Sequence, residues 1–194
     1  MAGHARFTAV LDACVIYPHP VVDSLLSLAA ADLFAPKWTA RIEQEWITAL
    51  EANREDLRGG KLYRRRDAMR LAVPDWEVPE DTWQAVAANL SLPDPNDVHV
   101  LAAAIVAHAD CIVTTNTRHF PAEALAPFGL EVIDPDVFII NQLDLSPIAA
   151  LTAFKAMRAR RRNPPATPEE FAASLERAGL PSTAQRLREA AELL

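Results

Sequence analysis

Three segments of this chain place an acid or an amide where an apolar run stops. Asp12 interrupts the strand-like run 7–15, Asp97 heads the apolar stretch 97–106, and Asn116 closes the run 111–115. A carboxylate behind buried apolar residues is costly unless a cation compensates it. Several such groups converging on one sheet edge would line a pocket with oxygens, the donor set of a hard divalent cation. A bound ion of that kind lowers the pKa of one of its waters and offsets the charge that builds on a scissile phosphate. Phosphodiester hydrolysis on such a site needs no protein nucleophile. A fourth group is expected from the helix 39–53. Glu45 flanks the apolar face set by Ile42, Trp46 and Ala49, whereas Glu43 points away from it, so Glu45 is the better candidate. Taken singly each residue has a simpler role: Asp97 as a helix N-cap, Asn116 as a turn residue, Glu45 as a solvated charge. Their order and context together favour a site.

The elements that must position these residues follow from periodicity. Residues 7–15 read as a central parallel strand. A Leu/Ala-rich helix follows over 23–31, then a short strand at 34–36. Thr39 is an N-cap for the helix 39–53. A helix over 55–71 is broken weakly at Gly59-Gly60, and another runs over 79–89. The apolar helix from Asp97, the strand 111–115, the strand 130–133 and a helix carrying Val137, Phe138 and Ile140 complete a βα rhythm. That rhythm belongs to an α/β fold with a parallel sheet, where ligands bind beyond the carboxyl ends of the strands. From Ser146 onward only helices are expected, separated by Asn163-Pro164-Pro165 and Gly179-Leu180-Pro181, with Thr167 and Ser182 as N-caps. The division drawn is 1–145 for the α/β domain and 146–194 for the helical extension. Two apolar stripes, Leu25, Leu26, Leu28 and Leu151, Phe154, Met157, are either core or a surface for a partner helix.

Composition narrows the class. The chain has 194 residues, 51% of them hydrophobic, and a net charge of −7. It is large enough for a sizeable core without disulfides. Cys14 and Cys111 read as buried reduced thiols, with no spacing that suggests zinc. The apolar start is too short, and too interrupted by Asp12, for a signal peptide, and no run reaches membrane-spanning length. A cytoplasmic protein is expected. The acidic total argues against a simple nucleic-acid-binding module but not against a nuclease. The clusters Arg64-Arg65-Arg66 and Arg158, Arg160, Arg161, Arg162 read first as solvated helix charges.

These segments together resemble the PIN-domain family, and within it the VapC-like ribonuclease toxins of toxin–antitoxin modules. Residues 10–15 resemble the first acidic motif, 38–46 the helix of the second, 92–104 the third, and 109–121 the fourth. The resemblance implies a Rossmann-like α/β/α PIN domain with a central parallel sheet and a C-terminal helical extension. It implies a Mg2+- or Mn2+-dependent endoribonuclease, the toxin of a type II module, with RNA as substrate, a small antitoxin protein as partner, and a homodimer. It assigns Asp12 and Asp97 to the metal, and Glu45 and Asn116 to the catalytic set. Thr114 or Thr115 serves as a supporting hydroxyl, and Arg64, Arg65, Arg66 and Arg118 as phosphate contacts. Asn116 stands where many members carry Asp. An amide gives the metal an oxygen but no charge, which keeps two alternatives in play: a PIN-like module that binds RNA or protein without cutting, and a structure-specific DNA nuclease.

Overall fold

The computed structural model describes residues 6–162 and 164–194. Asn163, within the expected break between helices, lies outside them. In chain order the helices are α1 (Ala13–Ile16), α2 (His19–Ala30), α3 (Ala40–Asn53), α4 (Lys61–Ala72), α5 (Glu80–Ala87), α6 (Val98–Val106), α7 (Ala122–Leu125), α8 (Pro135–Leu145), α9 (Pro147–Ala159), α10 (Pro168–Arg177) and α11 (Pro181–Glu189). The strands are β1 (Thr8–Leu11), β2 (Ala35–Lys37), β3 (Cys111–Val113) and β4 (Glu131–Ile133). The chain divides into two units, one holding the residues up to Tyr17 with Phe34–Asp134, the other Pro18–Leu33 with Pro135–Leu194.

The first unit is built on a sheet of order β2-β1-β3-β4, every pair parallel. Ala9, Val10 and Leu11 of β1 lie beside Cys111, Ile112 and Val113 of β3, and all six are fully buried. Continuous apolar runs of this kind are what a parallel strand covered on both faces demands. Parallel pairing also brings the residues that follow β1 and β3, Asp12 and Thr114, to the same end of the sheet. The expected strand over 7–15 is shorter than read, because Asp12 turns the chain. Its backbone is extended (φ −74°, ψ 157°) and its side chain accepts the Ala13 N–H, so α1 begins at once. Beyond β2, Trp38 exchanges backbone bonds with Trp76 and Val78, each 3.0 Å, and its ring stacks on Trp76 at 5.3 Å. Thr39 caps α3, its hydroxyl accepting the Ile42 N–H at 3.1 Å. Gly59 and Gly60 break the expected helix completely, both with positive φ (79° and 87°), a conformation that glycine adopts without strain.

The second unit is helical: α2 packs on α9, α8 on α9 and α11, and α10 on α11. Thr167 caps α10 in a full capping box with Glu170. Ser182 is not the cap of α11. That helix starts at Pro181, and the N–H groups of Ser182 and Thr183 go to the Asp136 carboxylate at 2.7 and 2.8 Å. A carboxylate takes two exposed N–H groups where a serine hydroxyl takes one, and it is favoured at a helix N-terminus. The stripes read as a possible partner surface are mostly core: Leu25, Leu28, Phe154 and Met157 are fully buried, and only Leu26 and Leu151 are half-exposed. A division after residue 145, where strand signals have ended, differs from the packing, which groups α8 and α2 with the last three helices. Among the described residues no helix is long and apolar enough to cross a membrane.

Candidate functional site

Asp12, Glu45, Asp97 and Asn116 line one open cleft of about 390 Å³ in the α/β unit, with Cys14, Tyr17 and Trp46 among its other walls. Four residues from four segments thus reach one place, each through a different local device.

Asp12 is held on both oxygens. Oδ1 accepts the Ala13 N–H at 2.6 Å, and Oδ2 accepts the Thr114 hydroxyl at 2.7 Å and the Cys14 thiol at 3.1 Å. Burial, with the neighbouring Asp12 charge adding to it, pushes the Cys14 thiol up to about 11. It therefore remains a protonated donor near neutral pH. The fully buried Thr114 hydroxyl also accepts the Asn116 N–H at 3.0 Å, tying the segment after β3 to Asp12. Thr115 takes part through its backbone N–H, which donates to the Cys14 sulfur at 3.3 Å. Asn116 heads the single 3-10 turn Thr117–His119 without a capping bond, leaving its side chain to the cleft.

Asp97 has the position of an N-cap but not its bond. No side-chain cap closes α6, and the carboxylate Oδ2 instead meets His119 Nδ1 at 2.6 Å. Burial raises the Asp97 carboxyl above its ordinary value against the pull of His119, and the charges of Asp12 and Asp94 push it in the same direction.

On α3 the two glutamates part company. Glu43, read as pointing away from the apolar face, is the more buried of the two at 2% exposure. Trp38 Nε1 and Arg70 Nε each donate to it at 3.0 Å, so it ties α4 and the segment just after β2 to α3. Glu45 faces the cleft. Its Oε1 accepts His99 Nε2–H at 2.9 Å and Arg41 Nε–H at 3.2 Å. Burial pushes this carboxyl up, but the hydrogen bond from His99 and then Arg41 outweigh it, and it sits below the ordinary range. Buried His99 has no partner for Nδ1 among the described residues. Because the Glu45 carboxylate oxygen can only accept, Nε2 carries the hydrogen of this bond.

Two residues escaped the sequence reading. Ligand atoms of Asp94, Asp97 and His119 lie within 4.8 Å of one another. Asp94 also accepts the Asn96 N–H at 2.9 Å, shaping the turn Pro95–Asp97 that presents Asp97. The spacing of Asp94 three residues before Asp97, and of His119 three after Asn116, is one turn in each case, and that was the available signal. The basic residues scatter. Arg64 and Arg118 are exposed, and Arg66 pairs with Asp67 at 2.7 Å. Arg65 turns inward, to the backbone carbonyls of Ile16 and Tyr17.

The donor set fits a hard divalent cation. The carboxylates of Asp12, Glu45 and Asp97 share the cleft, and the Asp97 carboxyl is raised first by burial and then by the charges of Asp12 and Asp94, both of which a bound cation would offset. Asp12 and Asp97 would hold it, with Asn116 and Glu45 beside them.

A four-stranded parallel sheet with acids gathered at its carboxyl edge defines a class of α/β proteins, and the comparisons specify it. The PIN domain model matches residues 8–118, more than half of the chain, and the chain belongs to that family. The VapC50 C-terminal domain model matches residues 135–189. The chain is 43% identical over 75 residues to a protein named "Putative ribonuclease VapC50" from Mycobacterium tuberculosis. That stretch is 39% of this chain and 44% of the relative, so the match spans less than half of the relative's length. No solved structure matches the chain significantly.

Proposed function

We propose that this protein is a metal-dependent endoribonuclease, the toxin of a type II toxin–antitoxin module, with a small antitoxin protein as partner. The observation that carries the reading is the convergence of Asp12, Glu45, Asp97 and Asn116 on one cleft. Membership of the PIN-domain family and the likeness to a protein named as a ribonuclease support it. Asp12 and Asp97 bind the ion, which when present activates water and offsets phosphate charge. Thr114 and Cys14 fix the Asp12 carboxylate by donating to Oδ2. His99 and Arg41 both occupy Glu45 Oε1, which leaves Oε2 to accept a proton from the attacking water. The lowered Glu45 carboxyl keeps that acceptor ionised. Arg64 and Arg118, both exposed, are the candidate contacts for RNA phosphates.

The test is cleavage of a single-stranded oligoribonucleotide with Mg2+ or Mn2+, with EDTA as the control and Asp97→Asn as the inactive variant. Cutting of branched DNA but not RNA would favour the DNA-nuclease reading. RNA binding with no cutting under either metal would favour the non-cleaving module.

A further inference from the structure

Of the Arg64-Arg65-Arg66 cluster, Arg65 is the member that turns inward, and the proposed reaction gives it no place. It sits on α4 beside an exposed arginine and a locally paired one. Its guanidinium instead donates to the Tyr17 carbonyl at 3.2 Å and to the Ile16 carbonyl, and it lies 4.7 Å from the ring centre of Trp46. Those groups belong to two walls of the cleft. Ile16 and Tyr17 end α1, whose first turn is capped by Asp12, and Tyr17 lines the cleft. Trp46 follows Glu45 on α3 and lines it as well.

A four-residue helix has almost no stability of its own, because nucleation outweighs a single turn of hydrogen bonds. Asp12 secures its first end. At the other end unpaired carbonyls need donors, and a cation is favoured there. Arg65 supplies two N–H groups from one planar fork while its face rests on an indole. A lysine ammonium offers no such fork.

We propose that Arg65 is a positioning residue that ties α1 to α3 and so sets the spacing of Asp12 and Glu45 across the cleft. The proposal rests on the metal-dependent reading above. It separates Arg65 from the phosphate contacts, since its N–H groups are directed at backbone carbonyls rather than outward.

The experiment measures Mn2+ binding by calorimetry without RNA, and RNA binding and cleavage separately. If Arg65 acted only through its charge, removing it beside an acidic cleft would tighten Mn2+ binding. Positioning has the opposite sign. Arg65→Met, which removes the charge, and Arg65→Lys, which keeps it, should each weaken Mn2+ binding about tenfold. Both should lower kcat with KM unchanged. Arg64→Ala should instead raise KM and reduce the salt dependence of RNA binding by about one unit of slope. Should Arg65→Met fail to fold, Arg65→Lys carries the test, since it keeps the charge and reaches one carbonyl. Unchanged or tighter Mn2+ binding in the Arg65 variants overturns the proposal, as does a salt slope lowered by about one with kcat intact. Wild-type protein that binds Mn2+ but cuts no RNA refutes the ribonuclease reading while the Mn2+-binding comparison of the Arg65 variants still decides positioning. Wild-type protein that binds no Mn2+ overturns both.

Discussion

Thr114→Val is the sharpest probe of how the cleft is held. Valine matches threonine in shape and removes only the hydroxyl, so the fully buried site keeps its packing. Three contacts are lost: the 2.7 Å donation to Asp12 Oδ2, the 3.0 Å acceptance from Asn116 N–H and the weaker 3.2 Å contact with the Cys14 thiol. A hydrogen bond to a carboxylate contributes about 1.5–3 kcal/mol. Asp12 Oδ2 retains the Cys14 thiol, and Asn116 is exposed enough for water to meet its N–H, so the net cost settles at about 2 kcal/mol. For a chain of this size that lowers Tm by about 4–8 °C. Tryptophan emission during urea unfolding is the assay of choice. Trp38, Trp46, Trp76 and Trp83, the whole complement of four, lie in the α/β unit, so the signal reports that unit alone. Thr114→Ser keeps the hydroxyl and loses a methyl, costing about 1 kcal/mol. A Thr114→Val protein within about 0.5 kcal/mol of wild type, the range of neutral surface changes, would refute the reasoning. So would a serine variant less stable than the valine one.

Three further outcomes are expected. Asn116→Asp adds a charge beside the metal and should lower the Mg2+ concentration for half-maximal RNA cleavage, while Asp97→Asn removes a charged ligand and should abolish cutting; an unmoved midpoint in the first would leave Asn116 a turn residue only. His99→Phe deletes the donor to Glu45 Oε1 and should lower kcat by about tenfold with KM nearly constant, His99→Gln recovering part of the loss, and equal kcat in all three proteins would remove His99 from the site. Burial, with nearby acid charges adding to it, pushes the Cys14 and Cys111 thiols up to about 11 and about 12, so at pH 8 about one molecule in a thousand or fewer carries either thiolate. Iodoacetamide should label both slowly in native protein and quickly in urea, as read by mass spectrometry, and native labelling at the rate of a free thiol would contradict this.

Asp12, Asp97 and Asn116 stand out in the sequence because each borders or interrupts a run whose apolar character is unmistakable, and all three line one cleft. Apolar runs also specify the parallel sheet, since β1 and β3 have no polar face. What stayed hidden depends on contacts distant in sequence. Glu43 reads as pointing away from the apolar face until Arg70 and Trp38 arrive from outside its helix. Ser182 looks like a cap until Asp136, 46 residues earlier, takes its N–H. His119 and Asp94 signal nothing alone, because their meaning comes from the fold that brings them to Asp97. The strand at 7–15 ran long for a local reason: alternation does not reveal that Asp12 will cap the residue after it.

The helical unit is made of two pieces of chain, and the first is inserted in the α/β unit's own sequence. Val21, Val22, Leu25 and Leu28 of α2 are buried, and α2 packs on α8, α9 and α10, helices that come from residue 135 onward. On the ribosome, α2 therefore emerges about a hundred residues ahead of its packing partners. At about 5–20 residues per second that is roughly 5–20 s during which an apolar helix face waits uncovered. On this packing the nascent chain is expected to expose that face through about half of its synthesis. Truncation after residue 134 would make that exposure permanent, yielding an aggregating product even though every residue of the acidic cleft is present.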